Sequence, residues 1–98
     1  MLRPLFGLEG VFLSPYEWPS WWEWDLGLSA HLLKRMIDRD FTEVDLRRML
    51  EHATRLRQDV VDGRWVVETR HERLSWEVIV EPDEEIRLLI VITAYPVS

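Results

Sequence analysis

The chain of 98 residues contains no cysteine and only four glycines. The lack of cysteine excludes disulfides, thiolate zinc sites and cysteine nucleophiles, and it favours a reducing compartment, so we expect a cytoplasmic protein. The glycines stand at positions 7, 10, 27 and 63, without the spacing that lines up backbone N–H groups on a phosphate. Nucleotide hydrolysis of the P-loop kind is therefore excluded.

Long hydrophobic runs are also lacking. Residues 1–13 carry one basic side chain, and their apolar stretch is interrupted by Pro4, Gly7, Glu9 and Gly10. Such a segment is too broken for a signal peptide and too short to span a bilayer, so we expect no membrane association.

Metal motifs and nucleophile motifs are absent from the sequence. The three histidines are separated by 21 and 19 residues, so none forms the close pairs that bind zinc on a helix. The serines lack the context of a nucleophile elbow, which leaves a serine hydrolase unsupported. We therefore expect neither a metal nor another cofactor.

Charge is distributed unevenly along the chain. The net charge is −6, yet residues 29–73 hold ten basic and nine acidic side chains, whereas both ends are acidic. All three histidines lie in this middle part, and eleven of the twelve basic residues are arginine, whose planar fork binds carboxylate or phosphate. A local site for a polyanion is thus permitted despite the acidic total.

Length and a 47% apolar composition predict one domain over residues 1–98. We divide it into a tryptophan-rich segment at 1–28, a pair of helices at 29–55 and an antiparallel meander at 56–98. In the first segment, Ser14, Pro15 and Glu17 form a helix-start signature that Pro19 limits to about one turn. Alternation over 21–28 predicts a half-buried strand, and the tryptophans either cap the core or form a protein interface.

Two helices are predicted from caps and from a period of 3.6 residues. Ser29 caps the first, which runs to about Asp38, and Thr42 with Asp45 forms a capping box for the second, which runs to about Thr54. The apolar face of the first helix is predicted to bury Ala30, Leu32, Leu33, Met36 and Ile37. The apolar face of the second is predicted to bury Leu46, Met49, Leu50 and Ala53.

The remaining residues alternate with a period of two and predict strands. Asp62-Gly63 is a hairpin signal between strands at 56–61 and 64–71, followed by a strand at 75–81, an acidic turn at 82–85 and a last strand at 86–95. The last strand is apolar on both faces, which implies an interior position or a face covered by a partner. The fold class is thus α+β, with the two helices on an antiparallel sheet of four to five strands, and a small sheet with six tryptophans suits a homodimer.

One constellation of residues fits a reaction. His31, Arg35 and Arg39 share a polar helix face, and Thr93 and Tyr95 end the last strand. Cleavage of RNA without a metal needs a group that takes the proton from a 2′-hydroxyl, cations that stabilise the phosphate, and an acid for the departing 5′-oxygen. His71 and Arg70, at a strand end, are a secondary pair of candidates.

Each candidate also has an ordinary structural interpretation. A histidine among cations on an amphipathic helix is typical of a solvated face, and this holds for His31 and more strongly for His52. His71 continues the alternating row that begins at Trp65, and Thr93 and Tyr95 suit a strand by propensity alone.

Three stretches carry a resemblance to a known family: Leu-Ser-Ala-His-Leu-Leu-Lys-Arg-Met-Ile-Asp-Arg at 28–39, Gly-Arg-Trp-Val-Val at 63–67 and Val-Ile-Thr-Ala-Tyr at 91–95. This pattern resembles a small uncharacterised bacterial family that is similar to the RelE-type and colicin-type RNase toxins. The resemblance covers residues 24–96 and implies a RelE-like fold in a toxin and antitoxin context. It further implies that His31 is the acid or base, that Arg35 and Arg39 contact phosphate, and that Thr93 and Tyr95 position the substrate.

The chain departs from this family at two positions. Asp40 stands where relatives commonly have glycine after the second arginine, which puts the turn there in question. Asp38 places a negative charge beside the proposed phosphate site.

Two functions of different classes follow. The first is a metal-independent endoribonuclease that acts through 2′-hydroxyl attack and has RNA as its substrate. The second is a non-enzymatic interaction module, either a partner of the immunity or antitoxin kind or a homodimeric binding protein. The acidic stretch at 81–85 favours the second, because it would steer a cognate basic protein towards the molecule.

Overall fold

The computed structural model describes residues 18–97, and it has the predicted α+β class, with two helices and a five-stranded sheet. A 3₁₀ turn spans Ser20–Glu23, and the helices are α1 (Ala30–Asp38) and α2 (Glu43–Glu51). The strands are β1 (Asp25–Leu28), β2 (Arg55–Gln58), β3 (Trp65–His71), β4 (Leu74–Asp83) and β5 (Leu88–Val97). The helix-start signature at 14–17 lies outside the described residues.

The sheet has the order β1-β5-β4-β3-β2, and it is mixed rather than wholly antiparallel as predicted. The first strand is the exception, because β1 pairs parallel to β5, with Asp25 opposite Leu88 and Leu28 opposite Val91. The chain therefore enters the sheet before the helices and returns beside β1 only with its last strand. This places β5 between β4 and β1 over 88–91, the interior position that its two apolar faces predict.

Both helices begin at the predicted caps. The Ser29 hydroxyl accepts from the amide of Leu32 at 3.0 Å, and Thr42 and Asp45 exchange the two hydrogen bonds of a capping box. The bond that Asp45 accepts from the Thr42 amide lowers the pKa of this carboxyl. The second helix ends at Glu51 rather than near Thr54, because the amide of Thr54 already donates to the carbonyl of Glu68 in β3.

The turn after α1 explains the departure at Asp40. This residue has a φ of 56°, in the left-handed region that glycine adopts most easily. Its amide donates to the carbonyl of Ile37, and the amide of Phe41 donates to the carbonyl of Met36, which is a Schellman motif. Phe41 is then buried against the core that Met36 also contacts. The turn that glycine would form is thus made by an aspartate.

The core lies between the helices and one face of the sheet. Side chains of α1 and α2 pack there against alternate residues of the strands, and the Thr69 hydroxyl donates to the carbonyl of Met49. The fully buried side chains of this core are Leu32, Leu46, Met49, Leu56, Val67, Val78, Val80, Leu89 and Val91.

The predicted buried face of α1 is only partly correct. Leu32 is fully buried and Met36 packs against the core, but Leu33 is 47% exposed and Ile37 is 81% exposed, and Ala30 is also exposed. The apolar stripe is wider than the contact, since a helix of nine residues that packs mainly over β5 buries one narrow row of side chains. We call Leu33 and Ile37 the exposed stripe of α1.

Several strand boundaries differ from the prediction. Of the strand predicted at 21–28, only residues 25–28 are strand, because 21–23 belong to the 3₁₀ turn. The loop between β2 and β3, which contains Gly63 at a φ of 85°, is longer than the two residues predicted. The tight two-residue hairpin instead lies at Glu72 and Arg73, which both have positive φ and join β3 to β4. The acidic turn begins later than predicted, because β4 continues through Asp83 and pairs it with Leu88.

We predict that Asp40→Gly raises the free energy of unfolding by about 0.5–1 kcal/mol, because a left-handed φ strains any residue with a Cβ. Asp40→Asn removes the same charge from the end of α1 while retaining the side-chain shape. The difference between the two variants in denaturant unfolding therefore isolates the backbone contribution. An Asp40→Gly protein less stable than Asp40→Asn would contradict the assigned turn.

Candidate functional site

The candidate site is built on the free edge of β5. Among residues 18–97, strand β1 covers this edge only as far as Val91, whereas β4 pairs with the other edge up to Val97. Beyond Val91, two side chains that flank α1 reach the strand. The Ser29 hydroxyl donates to the carbonyl of Ile92 at 2.9 Å, and Nη1 of Arg39 donates to the carbonyl of Ala94 at 3.1 Å. These two hydrogen bonds connect both ends of α1 to the free edge of β5.

One side of α1 carries His31, Arg35 and the C-cap residue Arg39. At 100° per residue, His31, Arg35 and Arg39 fall within a sector of about 80° on the helix surface. Arg39, at one margin of this sector, reaches the carbonyl of Ala94, so this margin adjoins the free edge of β5, and His31 occupies the other margin. We call these three side chains the basic flank.

The three side chains of the basic flank differ in the hydrogen bonds and ion pairs that they form. His31 is exposed and, within residues 18–97, forms no hydrogen bond or ion pair. Nη1 of Arg35 lies 2.8 Å from Oδ2 of Asp38, and both side chains are partly exposed. Such a surface pair contributes about 0–1 kcal/mol, so an anionic ligand can compete for Arg35.

Thr93 and Tyr95 lie on the sheet face that points away from the helices. Their neighbour Ala94 points into the core instead. The phenol of Tyr95 donates to Oε1 of Glu77 at 2.8 Å, and Thr93 pairs with Ile79 on the same face. The structure therefore brings Arg39 to the backbone between Thr93 and Tyr95, while the two hydroxyls are on the other side of the strand.

A network of charged side chains holds Tyr95 in place. The other oxygen of Glu77 accepts from Nη2 of Arg57 at 3.0 Å, and Nε of Arg57 donates to Glu68 at 3.1 Å. These residues come from β2, β3 and β4, and their pairing depends on strand register. The alternation of the strands places them on one face, but it does not predict that they meet, so sequence reasoning missed this network.

Burial, together with the bond to Glu77, raises the pKa of Tyr95 to about 12. The side chain is therefore a neutral phenol at physiological pH, and it acts as a hydrogen-bond donor rather than as a base. A general base that acts near Tyr95 therefore has to be another group.

The secondary candidates do not come together. The ring of His71 packs edge-on against Trp76, with centroids 5.4 Å apart, and its side chain is 15% exposed. Arg70 points the opposite way, where Nη2 donates to the carbonyl of Arg73 at 3.0 Å. Both lie on β3, two strands away from β5. His71 thus packs as the last side chain of the alternating row of β3 that begins at Trp65.

Within the described part of the chain, no group of three or more histidine, cysteine, aspartate or glutamate side chains is arranged to hold a metal ion. No helix in residues 18–97 is long and apolar enough to cross a membrane.

The fold and site define an α+β domain with a basic helix flank beside the edge of its last strand. A scan against protein-family models, a search of curated proteins and a search of solved structures each returned no match.

We predict that ultraviolet titration shows one of the two tyrosines ionising near pH 12, and that Tyr95→Phe removes this transition. The pKa of Tyr95 is raised above its unfolded value of 10.0, so its contribution to stability is complete below pH 10 and is lost as the pH rises towards 12. Glu77→Gln should lower this pKa without restoring the ordinary value, because burial is the larger cause. A Tyr95 that titrates near 10 in the folded wild type would contradict the Tyr95–Glu77 hydrogen bond.

Proposed function

We propose that the protein is a metal-independent endoribonuclease that binds a phosphodiester of RNA at the basic flank. The observation that carries the proposal is the hydrogen bond from Arg39 to the carbonyl of Ala94. It holds one end of a cationic helix side beside the last strand, at the backbone between Thr93 and Tyr95, whose side chains point to the opposite face of the sheet.

In this proposal the two arginines bind the phosphate. The guanidinium group of Arg39 has five N–H donors and uses one nitrogen for Ala94, so most of its fork is available to an anion. Arg35 exchanges its weak surface bond to Asp38 for the phosphate. Two such cations stabilise the additional negative charge that develops on the phosphate during the reaction.

His31 carries the proton transfer. Its imidazole takes the proton of the 2′-hydroxyl while the 2′-oxygen attacks phosphorus, and the bond from phosphorus to the 5′-oxygen breaks as water protonates that oxygen. The products are a 2′,3′-cyclic phosphate and a free 5′-hydroxyl. Thr93 and Tyr95 position the RNA strand where it passes over the sheet edge, Tyr95 through its ring and its hydroxyl oxygen, because its proton is donated to Glu77. A RelE-like fold and a relation to the RelE-type toxins form part of the same proposal.

We predict that production of the wild-type chain in bacteria arrests growth and that His31→Ala restores it. His52→Ala is the matched control, because His52 is also an exposed histidine but is the C-cap of the other helix, where its Nδ1 lies 2.8 Å from the carbonyl of Arg48. Purified wild type should cut RNA and leave cyclic phosphate ends, whereas His31→Ala should lose about 100-fold or more in rate. Equal, healthy growth of all three strains together with intact RNA would refute the nuclease.

The role of Arg39 is tested with two variants, because this side chain also supports the fold. Arg39→Lys keeps a charge and a donor for Ala94, whereas Arg39→Gln keeps a donor without the charge. We expect both to fold, and we expect RNA affinity to decline most steeply with salt in the wild type and least in Arg39→Gln. A salt dependence that is the same in all three proteins would remove Arg39 from the phosphate site.

A second candidate function is a non-enzymatic interaction module, and a specific observation favours it. The register places Asp25 and Asp83 on either side of Leu88, and the exposed Glu84 and Glu85 follow in the turn. This acidic end of the molecule would attract a cognate basic protein, while the exposed stripe of α1 offers apolar contact to a second copy. A growth-neutral wild type that forms a dimer, and that loses it on Ile37→Gln, would favour this function over the nuclease.

A further inference from the structure

The turn between β4 and β5 presents two carboxylates and an apolar side chain on its surface. Glu84, Glu85 and Ile86 are all exposed, and 58% of Ile86 is accessible. Oδ1 of Asp83 accepts from the amides of Glu85 at 3.1 Å and Ile86 at 3.4 Å, which fixes the path of the backbone through the turn. We call Glu84, Glu85 and Ile86 the acidic tip.

The acidic tip is not neutralised by the cation that follows it in the chain. None of the ion pairs among residues 18–97 involves Glu84 or Glu85. Arg87 ends the turn with a φ of 56°, and its guanidinium carbon lies 5.8 Å from the centre of the Trp24 ring. This cation is therefore stacked on an indole beside β1, and the tip itself keeps a negative charge.

The outer surface of α1 has the complementary composition. The exposed stripe of α1 supplies apolar area, since Leu33 is 47% and Ile37 is 81% exposed. At 100° per residue, the exposed Lys34 lies about 60° from Ile37 around the helix, and the basic flank begins about 60° further on. Asp38, on the same side, is paired with Arg35. This helix face thus combines apolar side chains with several cations.

The acidic tip cannot reach the end of α1 within one molecule. Asp83 and Leu88 pair with each other and hold the base of the turn. Leu88 precedes Ala94, the hydrogen-bond partner of Arg39, by six residues, which corresponds to about 20 Å along β5. The turn extends β5 at the end opposite Ala94. Contact between the tip and this helix face therefore requires a second molecule.

We propose that the acidic tip of one copy docks on the outer face of α1 of a second copy. Ile86 packs on the exposed stripe, while Glu84 and Glu85 approach Lys34 and Arg35. The opposite charges at the two ends of the molecule steer the copies into this head-to-tail orientation. A symmetric pairing of two α1 helices would instead bring like charges together.

The two surfaces differ, so the contact leaves a tip at one end of the assembly and a helix face at the other. Such an assembly grows with concentration rather than stopping at two copies. A short turn on a short helix buries less than the roughly 1,200 Å² of stable complexes, so we expect a dissociation constant of about 0.1–1 mM at low salt. A docked tip also covers the basic flank and competes with RNA, a consequence that rests on the proposed function.

Two variants remove the contact from opposite sides. Glu84→Gln with Glu85→Gln neutralises the tip, and Lys34→Gln with Ile37→Gln removes the charge and the apolar contact from α1; all four positions are exposed. Association is measured by sedimentation at up to about 1 mM protein, in about 20 mM and about 500 mM salt. Circular dichroism checks the fold, and Lys34→Gln alone replaces the second variant if that variant unfolds.

We expect the average mass of the wild type to rise with concentration at low salt and to fall towards the monomer at high salt. Each variant alone should remain monomeric. An equal mixture of the two should form a complex of two copies and no larger one, because the intact helix face of one binds the intact tip of the other. The matched control, Glu51→Gln with Asp62→Asn, makes the same change in net charge as the tip variant at exposed positions elsewhere, and it should associate like the wild type.

Four results would overturn the proposal. A wild type that stays monomeric at low salt has no such contact, and a mixture of the variants that stays monomeric excludes the head-to-tail arrangement. A tip variant that still associates would show a contact without the acidic tip. A control that loses association as fully as the tip variant would show an effect of net charge alone. None of these measurements contains RNA, so their failure is distinct from failure of the nuclease.

Discussion

The two hydrogen bonds that join α1 to β5 set the position of the candidate site. Without the bonds from Ser29 to Ile92 and from Arg39 to Ala94, the edge of β5 beyond Val91 would expose unpaired carbonyls. Exposed strand edges recruit further strands, and proteins commonly block them with charge or proline. Pro96, on the same stretch, has no backbone N–H to offer. These bonds and Pro96 thus oppose the pairing of a further strand at this edge.

Arg39 combines structural stabilisation with the proposed binding of phosphate. A hydrogen bond from a charged donor contributes about 1.5–3 kcal/mol to stability, whereas the phosphate contact uses donors that this bond leaves free. Ser29 has a comparable double role, since its hydroxyl caps α1 as an acceptor and reaches Ile92 as a donor. Because these positions serve the fold and the site together, variants there report on both, and His31 is the cleaner test of chemistry.

Local signals predicted much of the fold. Caps at Ser29 and Thr42 gave both helix starts, since they depend on residues within one turn, and the doubly apolar last strand gave its interior position. Features that depend on distant partners could not be predicted. The parallel pairing of β1 is one, and the exposure of Ile37 is another, because it depends on how much of α1 the sheet covers.

The same distinction applies to the candidate site. Spacing on one helix predicted that His31, Arg35 and Arg39 share a side, because helical geometry is local. The face that Tyr95 occupies and its bond to Glu77 depend on the register of β4 and β5, with the irregularity at Ile79 and Val80 within it. The hollow between α2 and the 3₁₀ turn depends on how these two elements pack together, which no local pattern predicts.

The central claim, that a phosphodiester lies between the basic flank and the edge of β5, is tested most directly by NMR. A 2′-O-methyl dinucleotide, which cannot be cleaved, would be titrated into the labelled protein while backbone amide and histidine ring signals are followed. A phosphodiester held there would cause shifts that cluster at His31, at the end of α1 and along residues 92–97. Shifts confined to other parts of the molecule, or none at concentrations that saturate RNA binding, would contradict it.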